Sequence, residues 1–331
     1  MSRSPSAPAS SLNSSGTSEV GSVDGDEATV YAPSSIGNVA VGYDVLGCIA
    51  DVAGDRVTVR RIDEPTVRIA GIEGTVTDLP TAPEQNTATA GLLRMIDDLG
   101  LDFGFEVYLQ KGIPLGSGMG GSAASAVGSA VAANALLDDP LSIDRVFTYA
   151  LIGEAVASGA IHPDNVAPCL YGGVVLTRSV DPPDVIHLPV PETVRCVLVH
   201  PDRTVATRDA RARLPERLPY DDIVQQTAHI ASFVAGCYRG DVDLIGRSLR
   251  DFIVEPYRAE LVPGFSSVKR AAMKAGALGC SLAGAGPACF AWARANDADT
   301  VQSAMIEAFT ARDIPVNAWV VRTDTPGARL V

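Results

Sequence analysis

Aromatic side chains are scarce in this 331-residue sequence, where Phe, Trp and Tyr together make up 5% of the chain. A large core must therefore be built from aliphatic side chains, since hydrophobic residues still amount to 47%. Positive charge is also in short supply, with 26 Lys and Arg against 39 Asp and Glu and a net charge of −13. This balance argues against non-specific attraction to nucleic acid or anionic membranes, so neither is an expected partner.

The six cysteines form no CxxC pair and no Cys/His cluster with the spacing of a metal site. We predict that they are small buried side chains in a reducing compartment. Residues 1–27 lack the apolar core of a signal peptide and are rich in Ser, Gly and Pro, which is typical of a disordered tail. The expected location is the cytoplasm.

Segments typical of strands and of helices are mixed after residue 27. Residues 103–109 alternate apolar and other side chains as a half-buried strand does, and residues 86–100 have the caps of a helix. Helices broken near two prolines are predicted for residues 221–278. Because strict β-α-β alternation is absent, the sequence predicts an α+β protein of two layers, dividing near residues 188–194.

Residues 111–139 read KGIPLGSGMGGSAASAVGSAVAANALLDD, with no charge between Lys111 and Asp138. The length would suit a membrane span, but Gly, Ser and Ala dominate and the large aliphatic side chains that favour insertion are few. A Walker loop is excluded because its lysine follows the glycines, whereas Lys111 precedes them.

A dinucleotide-binding fold is the next alternative for this stretch, since Gly116, Gly118 and Gly121 match GxGxxG. The match is weak, because four residues separate the upstream strand from the glycines and no second β-α-β unit follows. The remaining interpretation is an anion-binding loop, in which backbone N–H groups converge at a helix N-terminus and Ser122 offers a hydroxyl to Mg²⁺ or phosphate. Close helix packing through Gly and Ala is compatible with that interpretation.

Three segments resemble motifs of the GHMP small-molecule kinases, and they occur in the family's order. PLGSGMGGSAAS is similar to the phosphate loop, YAPSSIGNVAVGYDVLG (residues 31–47) to the N-terminal motif, and SLAGAGPACFA (residues 281–291) to the C-terminal glycine motif. The resemblance implies the two-domain α+β GHMP kinase fold. Its N-terminal half (residues 28–190) would resemble ribosomal protein S5, with a left-handed β-α-β element, and its C-terminal half (191–331) would be ferredoxin-like.

The same resemblance assigns ATP to the glycine loop and Mg²⁺ to Ser122 and Glu154. The residues matched to nucleotide binding are Pro114, Leu115, Gly116, Ser117, Gly118, Met119, Gly120, Gly121, Ser122, Ala123 and Ala124. One position departs from the family pattern, because its paired serines are here Gly121 and Ser122. One phosphate contact would then have to come from the Gly121 N–H.

Four further segments, residues 38–44, 162–173, 207–215 and 255–264, resemble substrate-binding elements of the family members that phosphorylate L-homoserine. A carboxylate suits the ammonium of an amino acid, and guanidinium forks suit its carboxylate. The residues matched to substrate binding are Asn38, Asp44, His162, Asn165, Arg211 and Arg258. Those matched to catalysis are Thr207, Asp164, Glu154 and Ser122, with no clear general base among them.

The resemblance therefore implies ATP-dependent phosphorylation of L-homoserine to O-phospho-L-homoserine, on the route to threonine, by a homodimer. Two alternatives stay open. One is another GHMP kinase, of the mevalonate or shikimate type, although an alcohol without an ammonium would gain nothing from Asp44. The other is a non-catalytic, degenerate kinase that binds its ligands without transferring phosphate.

Overall fold

A computed structural model describes residues 25–331, apart from the side chain of Ser158, so the predicted tail lies almost wholly outside the described residues. The strands are β1 (Glu27–Gly37), β2 (Leu46–Ile62), β3 (Val67–Gly74), β4 (Gly104–Lys111), β5 (Val174–Val180), β6 (Pro183–His187), β7 (Val194–Pro201), β8 (Gly279–Leu282), β9 (Cys289–Arg294), β10 (Val316–Val321) and β11 (Arg329–Leu330). The helices are α1 (Thr87–Leu99), α2 (Gly121–Ala135), α3 (Ile143–Ser158), α4 (Pro163–Tyr171), α5 (Thr207–Ala212), α6 (Tyr220–Arg239), α7 (Val242–Ser248), α8 (Glu255–Arg258), α9 (Phe265–Lys274) and α10 (Ala298–Thr310).

Seven strands form the first sheet, in the order β11-β1-β2-β4-β3, with β5 beside β2 and β6 beside β5. Among the described strands of this sheet only β3 and β4 pair in parallel, and α1 lies between them in the chain, giving a β-α-β unit. Helix α2 packs on β1 and β2. A Cβ at Gly128 would lie 2.6 Å from a methyl of Val57, so glycine permits this close packing.

The second sheet has the order β10-β7-β9-β8 and is antiparallel throughout. Both faces of its inner strand β7 are largely buried. Cys196 and Leu198 contribute to the core shared with the first sheet and α6, whereas Val197 and Val199 pack in a second core with α9 and α10. A strand buried on both faces needs apolar side chains at successive positions, which explains the continuous run VRCVLVH.

Several elements agree with the sequence. Asn86 caps α1 by accepting a hydrogen bond from the Ala88 N–H at 2.9 Å, and Gly100 ends the helix with φ of 60°. All six cysteines are free and buried, as predicted. No helix in the described part of the chain is long and apolar enough to cross a membrane.

The proposed division near residues 188–194 stays a prediction. The two sheets separate there, because β6 belongs to the first sheet and β7 to the second. The end of the chain nevertheless returns to the first sheet, where Leu330 of β11 pairs with Val30 of β1. Residues 329–330, which the sequence placed in the C-terminal half, thus pair with the N-terminal one.

Candidate active site

One cavity of about 670 Å³ collects residues from both halves of the chain. The predicted site residues that line it are Asn38, Asp44, Pro114, Leu115, Gly116, Ser117, Gly118, Gly120, Gly121, Ser122, Glu154, His162, Asp164, Asn165, Thr207, Arg211 and Arg258. The structure does not place Met119, Ala123 or Ala124 on its wall. These three are at most 1% exposed, and they support the loop from beneath.

The glycine loop, residues 114–120, connects β4 to α2. Gly116, Gly118 and Gly120 have φ of 60°, 78° and 71°, in the left-handed region that favours glycine. A Cβ on Gly118 would lie 2.6 Å from the carbonyl oxygen of Ala283, because the loop contacts the C-terminal glycine motif. Helix α2 begins at Gly121, so its first N–H groups lie at the cavity and suit an anion.

The loop is anchored by a buried ion pair that no motif in the sequence predicts. Lys111 pairs with Asp55 and also donates to the Gly121 carbonyl oxygen and to Ser125 Oγ, both at 2.8 Å. Asp55 accepts in turn from the Gly112 N–H at 3.0 Å. These three contacts use the three protons of the ammonium, so Lys111 positions the loop. The signal in the sequence for this ion pair was a single lysine next to a long uncharged stretch. A lysine buried there needs a partner of opposite charge.

Two oxygen groups meet beside the start of α2. Ser122 Oγ donates to Glu154 Oε1 at 3.0 Å, and Glu154, on α3, is 8% exposed. Burial raises the pKa of Glu154 to about 7, and Asp164 adds to the rise, while Ser122 and Lys111 oppose it. The described residues contain no cluster of three or more His, Cys, Asp or Glu for a metal. A cation here would take its other ligands from water and phosphate.

The loop of residues 38–44, between β1 and β2, has an unusual backbone. Asn38, Val39 and Ala40 have φ of 69°, 42° and 58°, a region that is strained for a β-branched residue such as valine. The Asn38 side chain accepts from the Asp44 N–H at 3.1 Å and donates to the Gly284 carbonyl oxygen at 3.1 Å. The strained turn thereby holds Asn38 and Asp44 at the cavity.

Opposite charges meet at the same end of the cavity. Arg211 Nη2 lies 2.9 Å from Asp44 Oδ1 and 3.2 Å from His162 Nδ1. Arg258 is 3% exposed and donates from Nη1 to the Gly284 carbonyl oxygen at 3.3 Å. The Tyr43 ring lies 5.3 Å from each guanidinium carbon. The structure thus brings the two predicted arginines together, and it also pairs one of them with Asp44.

The remaining predicted polar residues come from the starts of two helices. Asp164 lies in the first turn of α4 and is 4% exposed. Burial raises its pKa to about 7; Asp44 adds to the rise, whereas Arg211 and Arg258 oppose it. Asn165 Oδ1 accepts from Ser35 Oγ at 3.0 Å. Thr207 begins α5 and is exposed at the cavity.

Part of the cavity lining is apolar, and apart from Leu115 its residues were not predicted from the sequence. This part includes Val76, Leu79, Leu115 and Val156. Leu115, a large aliphatic side chain on the glycine loop, is 62% exposed. An apolar wall next to a phosphate-binding loop suits the flat ring of a nucleotide base. No pattern in the sequence marks Val76 or Leu79, because both lie on a loop without periodicity.

Comparisons with known proteins agree with this architecture. Residues 86–173 match the GHMP kinases N terminal domain and residues 233–311 match the GHMP kinases C terminal domain. A homoserine kinase of Xylella fastidiosa is 49% identical over 92% of this chain and 94% of its own length. A homoserine kinase of Chloroherpeton thalassium is 40% identical over 92% of this chain and 99% of its own.

Solved structures give the same result. The crystal structure of homoserine kinase from Cytophaga hutchinsonii matches with a TM-score of 0.88 and 41% identity, covering 97% of this chain and 100% of that one. Mevalonate kinase of L. major shares the fold, with a TM-score of 0.65 and 16% identity. The α+β fold class and the family predicted from three short motifs are confirmed: the chain belongs to the GHMP kinase family.

Proposed function

We propose that the protein transfers the γ-phosphoryl group of ATP to the hydroxyl of L-homoserine, giving O-phospho-L-homoserine on the route to threonine. Relatives named homoserine kinase are 40% and 49% identical to it over 92% of the chain. The structural observation that carries the proposal is that a glycine loop and a set of opposite charges face one cavity. This arrangement suits an anionic donor at one end and a zwitterionic acceptor at the other.

The charged end supports an α-amino acid as acceptor. The substrate ammonium would bind Asp44, and its carboxylate would bind Arg211 and Arg258. Asp44 and Arg211 contact each other in the ligand-free site, so the zwitterion would exchange one ion pair for two. Within residues 25–331, Arg211 Nε makes no hydrogen bond although it is buried, which leaves a donor for the substrate. Mevalonate and shikimate, lacking an ammonium, would leave Asp44 without a new partner.

The donor end fits a magnesium nucleotide. Ser122 and Glu154 are hard oxygen donors in contact with each other at the cavity, and Mg²⁺ is bound in such sites by one or two protein groups plus phosphate and water. When bound, the ion would neutralise phosphate charge. The N–H groups of the glycine loop and of the start of α2 would hold the phosphates, with the Gly121 N–H in place of the missing serine hydroxyl.

Positioning supplies most of the catalysis in phosphoryl transfer. Asp164 is the group we assign to accept the hydroxyl proton, because a carboxyl with a pKa of about 7 is partly ionised at neutral pH and can still take a proton. Thr207 would orient the reacting oxygen from the start of α5. His162 and Asn165 would orient the substrate, since each lies beside a charged or polar group that is already fixed.

A coupled ATP-consumption assay with Mg²⁺ and homoserine, mevalonate or shikimate tests the proposal. Of the three acceptors, we expect only homoserine to be phosphorylated. Turnover with mevalonate or shikimate and none with homoserine would identify another kinase of the family. Binding of ATP and homoserine without transfer would identify the degenerate kinase. We also propose a cytoplasmic homodimer, whose mass can be measured by light scattering at micromolar concentration.

A further inference from the structure

We propose that Gln226, on α6, is a positioning residue that fixes the loop carrying Asp44 relative to the segment carrying Arg258. It would thereby set the affinity for the amino-acid substrate without touching that substrate. The inference rests on the proposed function and deepens it. Gln226 does not line the cavity and belongs to none of the segments that resemble family motifs.

Gln226 is buried, with 7% of its surface exposed, and it uses both ends of its amide. Its Nε2 donates to the carbonyl oxygen of Val41 at 2.6 Å. Its Oε1 accepts from the backbone N–H of Phe252 at 2.9 Å. One side chain thus connects two backbone segments that are more than 200 residues apart in the sequence.

The first of these segments needs external support. Val41 follows directly on Asn38, Val39 and Ala40, whose left-handed backbone persists only where the surroundings impose it. Hydrogen bonds inside the turn, such as that from the Gly42 N–H to the Asn38 carbonyl oxygen at 2.8 Å, close it but do not fix it against the rest of the protein. The bond from Gln226 attaches it to α6.

The second segment leads directly to Arg258. Asp251, next to Phe252, accepts backbone hydrogen bonds from Ile253 at 2.9 Å and from Glu255 at 2.8 Å. These bonds organise the start of α8, the helix that ends at Arg258. The Gln226 amide therefore joins the loop that carries Asp44, the proposed ammonium ligand, to the segment that carries Arg258, the proposed carboxylate ligand.

An amide is suited to this role because it presents one donor and one acceptor at a fixed separation. An apolar side chain of similar size would fill the space but leave a buried carbonyl oxygen and a buried N–H without partners. The two segments would then relax towards other partners. We expect the distance between Asp44 and Arg258 to become less defined, which weakens binding of a short zwitterion.

The test compares Gln226→Met and Gln226→Ala with wild type and with Gln225→Ala. Gln225 is the exposed neighbour on the same helix and serves as the matched control. For Gln226→Met we expect the KM for homoserine to rise at least about tenfold while the KM for ATP stays within about twofold. Gln225→Ala should retain both values. Thermal unfolding of every variant is measured alongside.

An unchanged homoserine KM in a folded Gln226→Met or Gln226→Ala protein overturns the positioning role. Equal rises in the KM for homoserine and for ATP overturn it too, because they indicate a general loss of structure. If neither variant folds, Gln226 is a stability residue and the inference is wrong. Absence of homoserine turnover in wild type and in Gln225→Ala instead rejects the proposed function itself, so the two failures are distinguishable.

Discussion

Asp164 shows how one buried carboxyl links stability to pH. Its pKa is raised from 3.8 to about 7, mainly by burial. The folded protein therefore binds a proton more tightly than the unfolded chain between these values, and stability falls as the pH rises from about 4 to about 7. The loss is complete above the folded pKa and amounts to roughly 4 kcal/mol at most.

Replacing Asp164 by Asn should remove this loss. We expect Asp164→Asn to be more stable than wild type at pH 8 and similar to it near pH 4, as measured by urea unfolding of the ligand-free protein. Turnover should fall, because the amide cannot accept the hydroxyl proton. Parallel stability curves for the two proteins across this pH range would show that burial of the Asp164 charge is not costly.

Substitution of Arg258 should affect the binding of homoserine but not the binding of ATP. Its guanidinium is buried, lines the cavity and lies beside the Tyr43 ring near Arg211. We expect Arg258→Ala to raise the KM for homoserine on the order of 100-fold while that for ATP is nearly unchanged, because a buried charge-assisted contact is lost.

The control is Arg213→Ala, since Arg213 is exposed and does not line the cavity. Steady-state kinetics of both variants are compared with wild type. Similar changes in the KM for both substrates of Arg258→Ala would contradict the carboxylate-binding role.

At the scale of elements, Gly118 in the glycine loop and Gly100 at the end of α1 offer a matched pair of substitutions. Gly118 and Gly100 both have left-handed backbone, with φ of 78° and 60°. A Cβ at Gly118 would meet the Ala283 carbonyl oxygen, whereas one at Gly100 would meet nothing within 4 Å. We expect Gly100→Ala to cost about 1 kcal/mol of stability through backbone strain alone.

Gly118→Ala should cost roughly 3 kcal/mol, because a steric clash adds to the strain. It should also weaken ATP binding, as the loop would separate from the C-terminal glycine motif. Chemical unfolding and titration with an ATP analogue measure the two effects. Equal stability losses in the two alanine variants would show that the loop has room to move.

The elements differ in how far the sequence predicts them. Helix α1 was predictable because its two caps and its apolar periodicity agree. Helix α4 was not assigned, since two prolines within residues 163–171 hide its pattern. The strained turn at residues 38–40 could not be predicted from local sequence. Asparagine tolerates a positive φ, but valine and alanine rarely adopt one. Its conformation is imposed by tertiary contacts.

For the whole molecule, the family motifs and the substrate-binding segments predicted residues that the structure brings to one cavity, whereas the roles of these residues stay predictions. The contacts between the motifs were not predicted. The Ser35 N–H donates to the Met119 carbonyl oxygen at 3.1 Å, and the Ala288 N–H donates to the Ser117 carbonyl oxygen at 3.1 Å. The order of the motifs in the sequence does not predict either hydrogen bond. The Asp55–Lys111 pair was equally hidden, because its partners are 56 residues apart. Such contacts depend on how complete elements pack.

The return of the chain to the first sheet predicts a stability effect without a catalytic one. Strand β11 covers the edge strand β1, and the Val331 N–H donates to the Thr29 carbonyl oxygen at 3.0 Å. Deleting residues 329–331 should cost roughly 1–2 kcal/mol by exposing that edge, and leave both KM values unchanged. Calorimetry and kinetics of the truncated protein test this. A changed KM would show that β11 acts on the site.

The contact of Gly118 with Ala283 has a consequence for synthesis on the ribosome. A nascent chain that has just released residue 124 already holds its entire phosphate loop, yet the backbone that braces this loop is translated about 160 residues later. We therefore expect the loop to reach its final conformation only after the C-terminal glycine motif has been translated. Nucleotide binding by a ribosome-bound chain would then begin late, after residue 283 has left the ribosome.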